Sequence, residues 1–102
     1  MKAVIDGKRY DTETAEEIAA DAHGHTGDFD HWRESLYRTK QGAFFLAGSG
    51  GPRSKYSRLP RQNEWTGGEG ISVLTEAGAL RWCEDHDVDA DSIADHFTIE
   101  EA

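Results

Sequence analysis

The chain has 102 residues and a formal net charge of −9, from 20 acidic side chains against 11 basic ones. That length suits one compact domain over 1–102, which buries roughly two-thirds of its unfolded surface. A single cysteine, Cys83, excludes an internal disulfide and a multi-cysteine zinc site. No apolar run approaches the ~20 residues that cross a bilayer.

The opening MKAVIDGKRYD meets acid and glycine before an apolar stretch develops, unlike a signal peptide. The chain is therefore expected in a cytoplasm. Apolar residues are 36% of the chain, so its core is expected to lean on the aromatics Phe29, Phe44, Phe45, Phe97, Tyr10, Tyr37, Tyr56, Trp32, Trp65 and Trp82.

In chain order, Lys2–Ile5 and Lys8–Tyr10 flank Asp6-Gly7, a strong short signal for a β-hairpin. The next segment changes period. Thr14 and Glu17 fit a capping box, and Ala15, Ile18, Ala19 and Ala22 follow at helical spacing, which predicts a helix over 14–22. Glu13, Glu16 and Glu17 would then sit at the positive end of its dipole. Gly24 or Gly27 would stop it.

Residues 23–31, HGHTGDFDH, read as a polar connection. His23, His25 and His31 with Asp28 and Asp30 invite a metal or enzymatic reading, because His-x-His can present two imidazoles on one side of a strand. The run is glycine-broken, however, and lacks the regular structure that holds such ligands. A loop with no metal is the stronger expectation.

Trp32–Lys40 and Ala43–Ala47 predict a central hairpin turning at Gln41-Gly42. Phe44-Phe45-Leu46 is too continuously apolar for a half-wet strand and reads as a central one covered on both faces. The run Gly48-Ser49-Gly50-Gly51-Pro52 is expected to end it. GSGGPRSK has the small residues and neighbouring cations of a phosphate cradle, but lacks the Gly-Lys-Ser/Thr ending of a P-loop. A plain connector is the stronger expectation.

Residues 53–70 are expected to be irregular, with Arg53, Lys55, Arg58 and Arg61 pairing with the protein's own acids. Ile71–Leu74 is a short strand. Thr75 caps a helix over 75–86 whose buried face holds Ala79, Leu80, Cys83 and Ala77, with Trp82 at its edge. Cys83 is then a core thiol, since no base is placed to activate it. Asp89 or Asp91 caps a last helix, Ser92–Phe97, docked through Ile93 and Phe97. The expected fold is α+β: an antiparallel sheet of three to five strands with two or three helices packed on one face.

Charge is unevenly placed along this plan. Residues 1–40 hold nine acids and six bases, 41–63 hold four bases and no acid, and 64–102 hold eleven acids and one base. An acidic segment repels nucleic acid and attracts basic surfaces. The same acidity also serves solubility alone, and salt-adapted organisms acidify their proteins generally.

GKRYDTETA (7–15), LYRTKQGAFFLAGSGG (36–51), SKY (54–56), TGGEGI (66–71) and LTEAGALRWCE (74–84) resemble the motifs of a family of small proteins from bacterial phages and mobile elements. Within it, the chain is similar to type I-C anti-CRISPR proteins. The resemblance implies a binding inhibitor of the type I surveillance complex (Cascade) with no enzymatic activity and no cofactor. It would act as a monomer in the bacterial cytoplasm, placing acids on a basic surface meant for target DNA. The expected contact residues are Glu84, Asp85, Asp87, Asp89, Asp91 and Asp95, with Glu13, Glu16 and Glu17 second. The runner-up reading is a nucleic-acid-binding or regulatory accessory protein of a mobile element, using the basic loop 53–61.

Overall fold

A computed structural model describes residues 1–25, 27–61 and 64–102, apart from the side chains of 59–61 and 64–66. The expected core role of Trp65 and the charge of Arg61 thus fall outside the described residues, as do Thr26, Gln62 and Asn63.

The chain opens with β1 (Lys2–Ile5) and β2 (Lys8–Asp11), paired antiparallel as the sequence predicts. Asp6 and Gly7 both take positive φ, 51° and 77°, as the tight turn between twisted strands requires. The N-terminal ammonium donates to Thr12 Oγ1 at 2.9 Å, and the Thr12 amide donates to the Met1 carbonyl at 2.9 Å. Both ends of the hairpin are thereby joined.

Residues 14–22 form no helix. They lie in a turn and in β3 (Glu16–His23), an edge strand paired with β4 (Trp32–Arg38). No capping box forms, and a turn at Asp11 stands in its place: Thr14 Oγ1 donates to the Asp11 carbonyl, and the Glu13 amide donates to Asp11 Oδ1. Asp11 closes its own turn, and the chain leaves that turn extended. Pairing with β4 then overrides helical propensity.

β4 pairs with β5 (Phe44–Gly50) around Thr39, whose hydroxyl accepts from the Ala43 amide, and around Gly42 at φ 90°. β5 in turn pairs with β8 (Gly68–Leu74), giving the antiparallel order β3-β4-β5-β8. Between them, β6 (Arg58–Arg61) and β7 (Glu64–Thr66) form a separate two-stranded ladder. The segment 53–70 is therefore not the irregular stretch the sequence suggests, and β8 begins three residues before Ile71.

The helices α1 (Glu76–Asp85) and α2 (Ala90–His96) pack on one face of this sheet. Thr75 Oγ1 accepts from the Gly78 amide, and Asp89 accepts from the Ser92 amide, so each helix is capped as its sequence predicts. Between them, Asp87 takes φ 56° while the Val88 amide donates to the Cys83 carbonyl, in the manner of a Schellman ending. The core joins Leu36, Phe44 and Leu46 of the sheet to Ala79, Trp82, Cys83 and Phe97. Trp82 lies inside it rather than at its edge, and Ala77 is exposed. Phe44 and Phe97 stack at 5.0 Å.

Alternation sends Phe45 to the opposite face. There it meets Tyr37 at 5.2 Å and Tyr10 of β2 at 5.6 Å, so the N-terminal hairpin covers the side that the helices leave bare. Phe45 and Leu36 are both fully buried, each contributing about 1.5–3 kcal/mol. Phe29 departs from the expected core set, being exposed under the Arg53 guanidinium.

Of the run expected to end β5, Gly48 and Gly50 are inside the strand, and the strand ends before Gly51. A Cβ on Gly48 would lie 2.0 Å from Tyr56 Oη, and one on Gly50 would lie 2.2 Å from Ser54 Oγ. The missing side chains make room for the following loop to fold back across the strand. Gly48→Ala is expected to destabilise the protein by about 1–3 kcal/mol through overpacking. Gly70→Ala, where nothing lies within 4 Å, is expected to be neutral or stabilising by about 0.4–1 kcal/mol. Urea unfolding of the two variants measures the contrast, and equal losses would contradict it.

Candidate functional site

Two groups of polar residues stand out on the helical side, one buried and one exposed. The buried one centres on Glu34, which the β4 pleat turns toward the helices beside Leu36. It is 3% exposed. Tyr56 donates its hydroxyl to Oε2 at 2.5 Å, Lys55 adds an ammonium to the same oxygen, and Trp82 Nε1 donates to Oε1 at 3.3 Å. Burial alone raises the pKa of a carboxyl. Here the three donors outweigh it and hold Glu34 below the usual carboxylate range. The phenol is driven the other way, far up, by burial first and then by the carboxylate it serves.

Local chemistry brings these donors in. Ser54 Oγ donates to the Gly51 carbonyl at 2.8 Å and accepts from the Tyr56 amide at 3.2 Å, which tightens the turn that delivers Lys55 and Tyr56. The loop is also tied to its neighbour, with the Gly51 amide on the His31 carbonyl and the Arg53 amide on the Phe29 carbonyl. GSGG and SKY are thus two halves of one contact.

Beside Glu34 runs an open cleft of about 460 Å³, walled by His23, Trp32 and His86. His86 Nδ1 meets Asp21 Oδ2 at 2.6 Å, and its ring stacks on Trp82 at 4.2 Å. That hydrogen bond lowers the pKa of Asp21. A second pair joins α2 to the same edge strand: His96 Nε2 meets Glu16 Oε1 at 3.3 Å, while Nδ1 meets the Ser92 carbonyl at 3.0 Å. Both partners are acceptors, so the imidazole satisfies them only when it carries both protons. Its pKa rises accordingly, chiefly through the Ser92 carbonyl, with Glu16 adding to it.

The described residues of the histidine-rich connection hydrogen-bond among themselves. His31 Nδ1 donates to the Asp28 carbonyl and Asp28 Oδ2 accepts from the His25 amide, so these groups close their own loop. His23 faces Asp30 at 3.8 Å. Among the described residues, no group of three potential ligands converges. Cys83 is fully buried, and burial pushes its thiol up, away from nucleophile chemistry.

The exposed group is the acidic one. Glu84, Asp85, Asp87, Asp91 and Asp95 all face solvent from α1, α2 and the turn between them. Asp89 is exposed too, but is committed to the α2 cap, accepting from the Ser92 amide and hydroxyl. Among the described residues, one base pairs with this set, Arg81 with Asp85 at 3.0 Å. The His96 contact places Glu16 next to the set. The other two N-terminal acids are not gathered there. Glu13 sits in the Asp11 turn, and Glu17, opposite Tyr37 in the ladder, faces the side that carries the hairpin. None of the three lies at a helix dipole.

Arg53, Lys55 and Arg58 of the basic loop are exposed, and each also makes a contact within the chain. Lys55 is on Glu34, Arg53 lies over the Phe29 ring, and Arg58 Nη2 donates to the Glu69 carbonyl at 2.7 Å. The partner of Lys55 is a buried carboxylate of β4, not the acidic surface.

The His86–Asp21 pair, the His96–Glu16 pair and the Glu34 cluster went unrecognised in the sequence. Their members stand 65, 80 and 21 or more positions apart. No family model, curated protein or solved structure matches the chain. Among the described residues, no helix is long and apolar enough to cross a membrane.

Tyr56→Phe leaves the buried carboxylate one donor short and is expected to cost about 1–3 kcal/mol, read as a lower urea midpoint at neutral pH. The His96 pairing has its own pH signature. Its folded pKa lies above the reference value of 6.5, so its contribution is fully present below that value and lost as pH rises through the folded pKa. His96→Gln is expected to narrow the stability gap to wild type as pH climbs from 6 toward 8. A gap constant across that range would contradict the pairing.

Proposed function

We propose that this chain is a binding inhibitor whose acidic helical face competes with nucleic acid for a basic protein surface. The observation that carries the reading is the set Glu84, Asp85, Asp87, Asp91 and Asp95. All five are exposed on the two helices and the turn between them, with Asp89 and Glu16 adjoining, and one arginine among the described residues offsets them. Such a surface attracts a cationic channel over several ångströms and is screened by salt.

The sequence resemblance supplies the target. The type I surveillance complex holds its DNA and heteroduplex in positively charged channels, and an acidic surface placed there would exclude target DNA. The chain then works in the cytoplasm of a bacterial host as a monomer, with no catalysis and no cofactor. The runner-up reading, nucleic-acid binding by the loop 53–61, keeps the exposed Arg53 and Arg58 but loses part of its charge to the ion pair of Lys55 with Glu34.

The test replaces Asp85, Asp87, Asp91 and Asp95 by asparagine. It spares Asp89 for its capping role, and asparagine tolerates the positive φ at position 87. Titrated against purified type I-C surveillance complex, the variant is expected to bind more than about tenfold more weakly, with a shallower salt dependence. Unchanged affinity in a folded variant would sink the proposal, as would binding of duplex DNA by the wild-type chain at low salt.

A further inference from the structure

An apolar groove adjoins the acidic face at Glu84. Between α1 and the tail that follows α2 runs a groove of about 480 Å³, bordered by Leu80, Ile93 and Ile99, with Glu84 and Glu100 beside them. Leu80 and Ile93 rest partly against the core. Ile99 does not join the core and is 46% exposed.

A lone exposed isoleucine means little. Three aliphatic side chains around one groove, flanked by carboxylates, have the anatomy of a protein interface: an apolar centre inside a polar rim. The charge selects the occupant. A nucleic acid, or the same face of a second copy, would bring like charge against Glu84, Glu100 and the aspartates of α2. A cationic segment meets them favourably, and an apolar side chain within it fills the groove.

We infer that the groove receives an aliphatic or aromatic side chain flanked by lysines or arginines on the partner protein. This rests on the reading of the acidic face as a binding surface and adds a specificity element to it. Charge brings the partner in, and the groove selects which basic surface is retained, since buried apolar contacts near the centre of an interface carry much of the affinity.

The test uses the full chain and two short synthetic peptides of equal positive charge. One carries a leucine and a phenylalanine between its lysines, and the other carries serines at those positions. The apolar peptide is expected to bind at least about tenfold more tightly and to move the methyl NMR signals of Leu80, Ile93 and Ile99. Ile99→Ser, on an exposed position that leaves the core intact, is expected to erase the preference while leaving binding of the serine peptide unchanged.

Equal affinity for the two peptides, no binding of either, or methyl signals that stay in place would overturn the groove assignment. Methyl shifts that depend on protein concentration without peptide would also overturn it, in favour of a second copy. The acidic-face reading is scored separately, by the asparagine variant on the surveillance complex, so either proposal can fail without the other.

Discussion

One carboxylate fixes the helical side of this protein. Glu34 leaves the middle of the sheet and receives a phenol from the returning loop, an ammonium from the same loop and an indole N–H from α1. Burying a carboxylate costs several kcal/mol of lost hydration, and hydrogen bonds to a charged group restore about 1.5–3 kcal/mol each. The net gain is small. What the arrangement supplies is specificity, because loop and helix must both be in place for the charge to have its three donors. Gly48 belongs to the same constraint, since its missing side chain is the space Tyr56 occupies.

The helices are tied to the sheet at both ends of the pair, and both ties use histidine. His86 closes the end of α1 onto Asp21, and His96 closes the end of α2 onto Glu16. These contacts join an acidic helical layer to an acidic strand. The division of labour follows: the sheet carboxylates Glu34, Asp21 and Glu16 are partnered across the fold, while those on the outer helical surface face solvent, Asp85 beside Arg81 and Asp89 in its cap. Function, in the reading proposed here, belongs to the second set.

Local signals made much of this legible in the sequence. Asp6-Gly7 announces a turn, Phe44-Phe45-Leu46 announces a strand covered twice, and Thr75 and Asp89 announce helix starts. Each rests on chemistry within a few residues. The failures share the opposite cause. Residues 14–22 carry helical spacing and a plausible cap, but Asp11 takes the hydroxyl and β4 takes the backbone. Gly48 and Gly50 look like a strand end because the groups that need their space, Tyr56 and Ser54, come later in the chain. Glu34 reads as a wet strand residue until Lys55 and Trp82 are placed beside it. Of the candidate site, the exposure of the α1–α2 acids followed from their density, while the separation of Glu17 from them depended on a sheet register that no local pattern encodes.

The edge strand β3 carries a further consequence. A free sheet edge is a template for another chain, and edges are blunted by charge and by irregular pairing. β3 has both, with Glu16, Glu17 and Asp21 along its length and a break in register between Glu17 and Ala19. The exposed Ala20 and Ala22 beside them would otherwise offer a smooth, sticky margin. The acids of this strand therefore act as gatekeepers against fibril-like stacking. Two of them, Glu16 and Asp21, also receive the histidines of the helices, so the same carboxylates serve the free edge and the tie between layers.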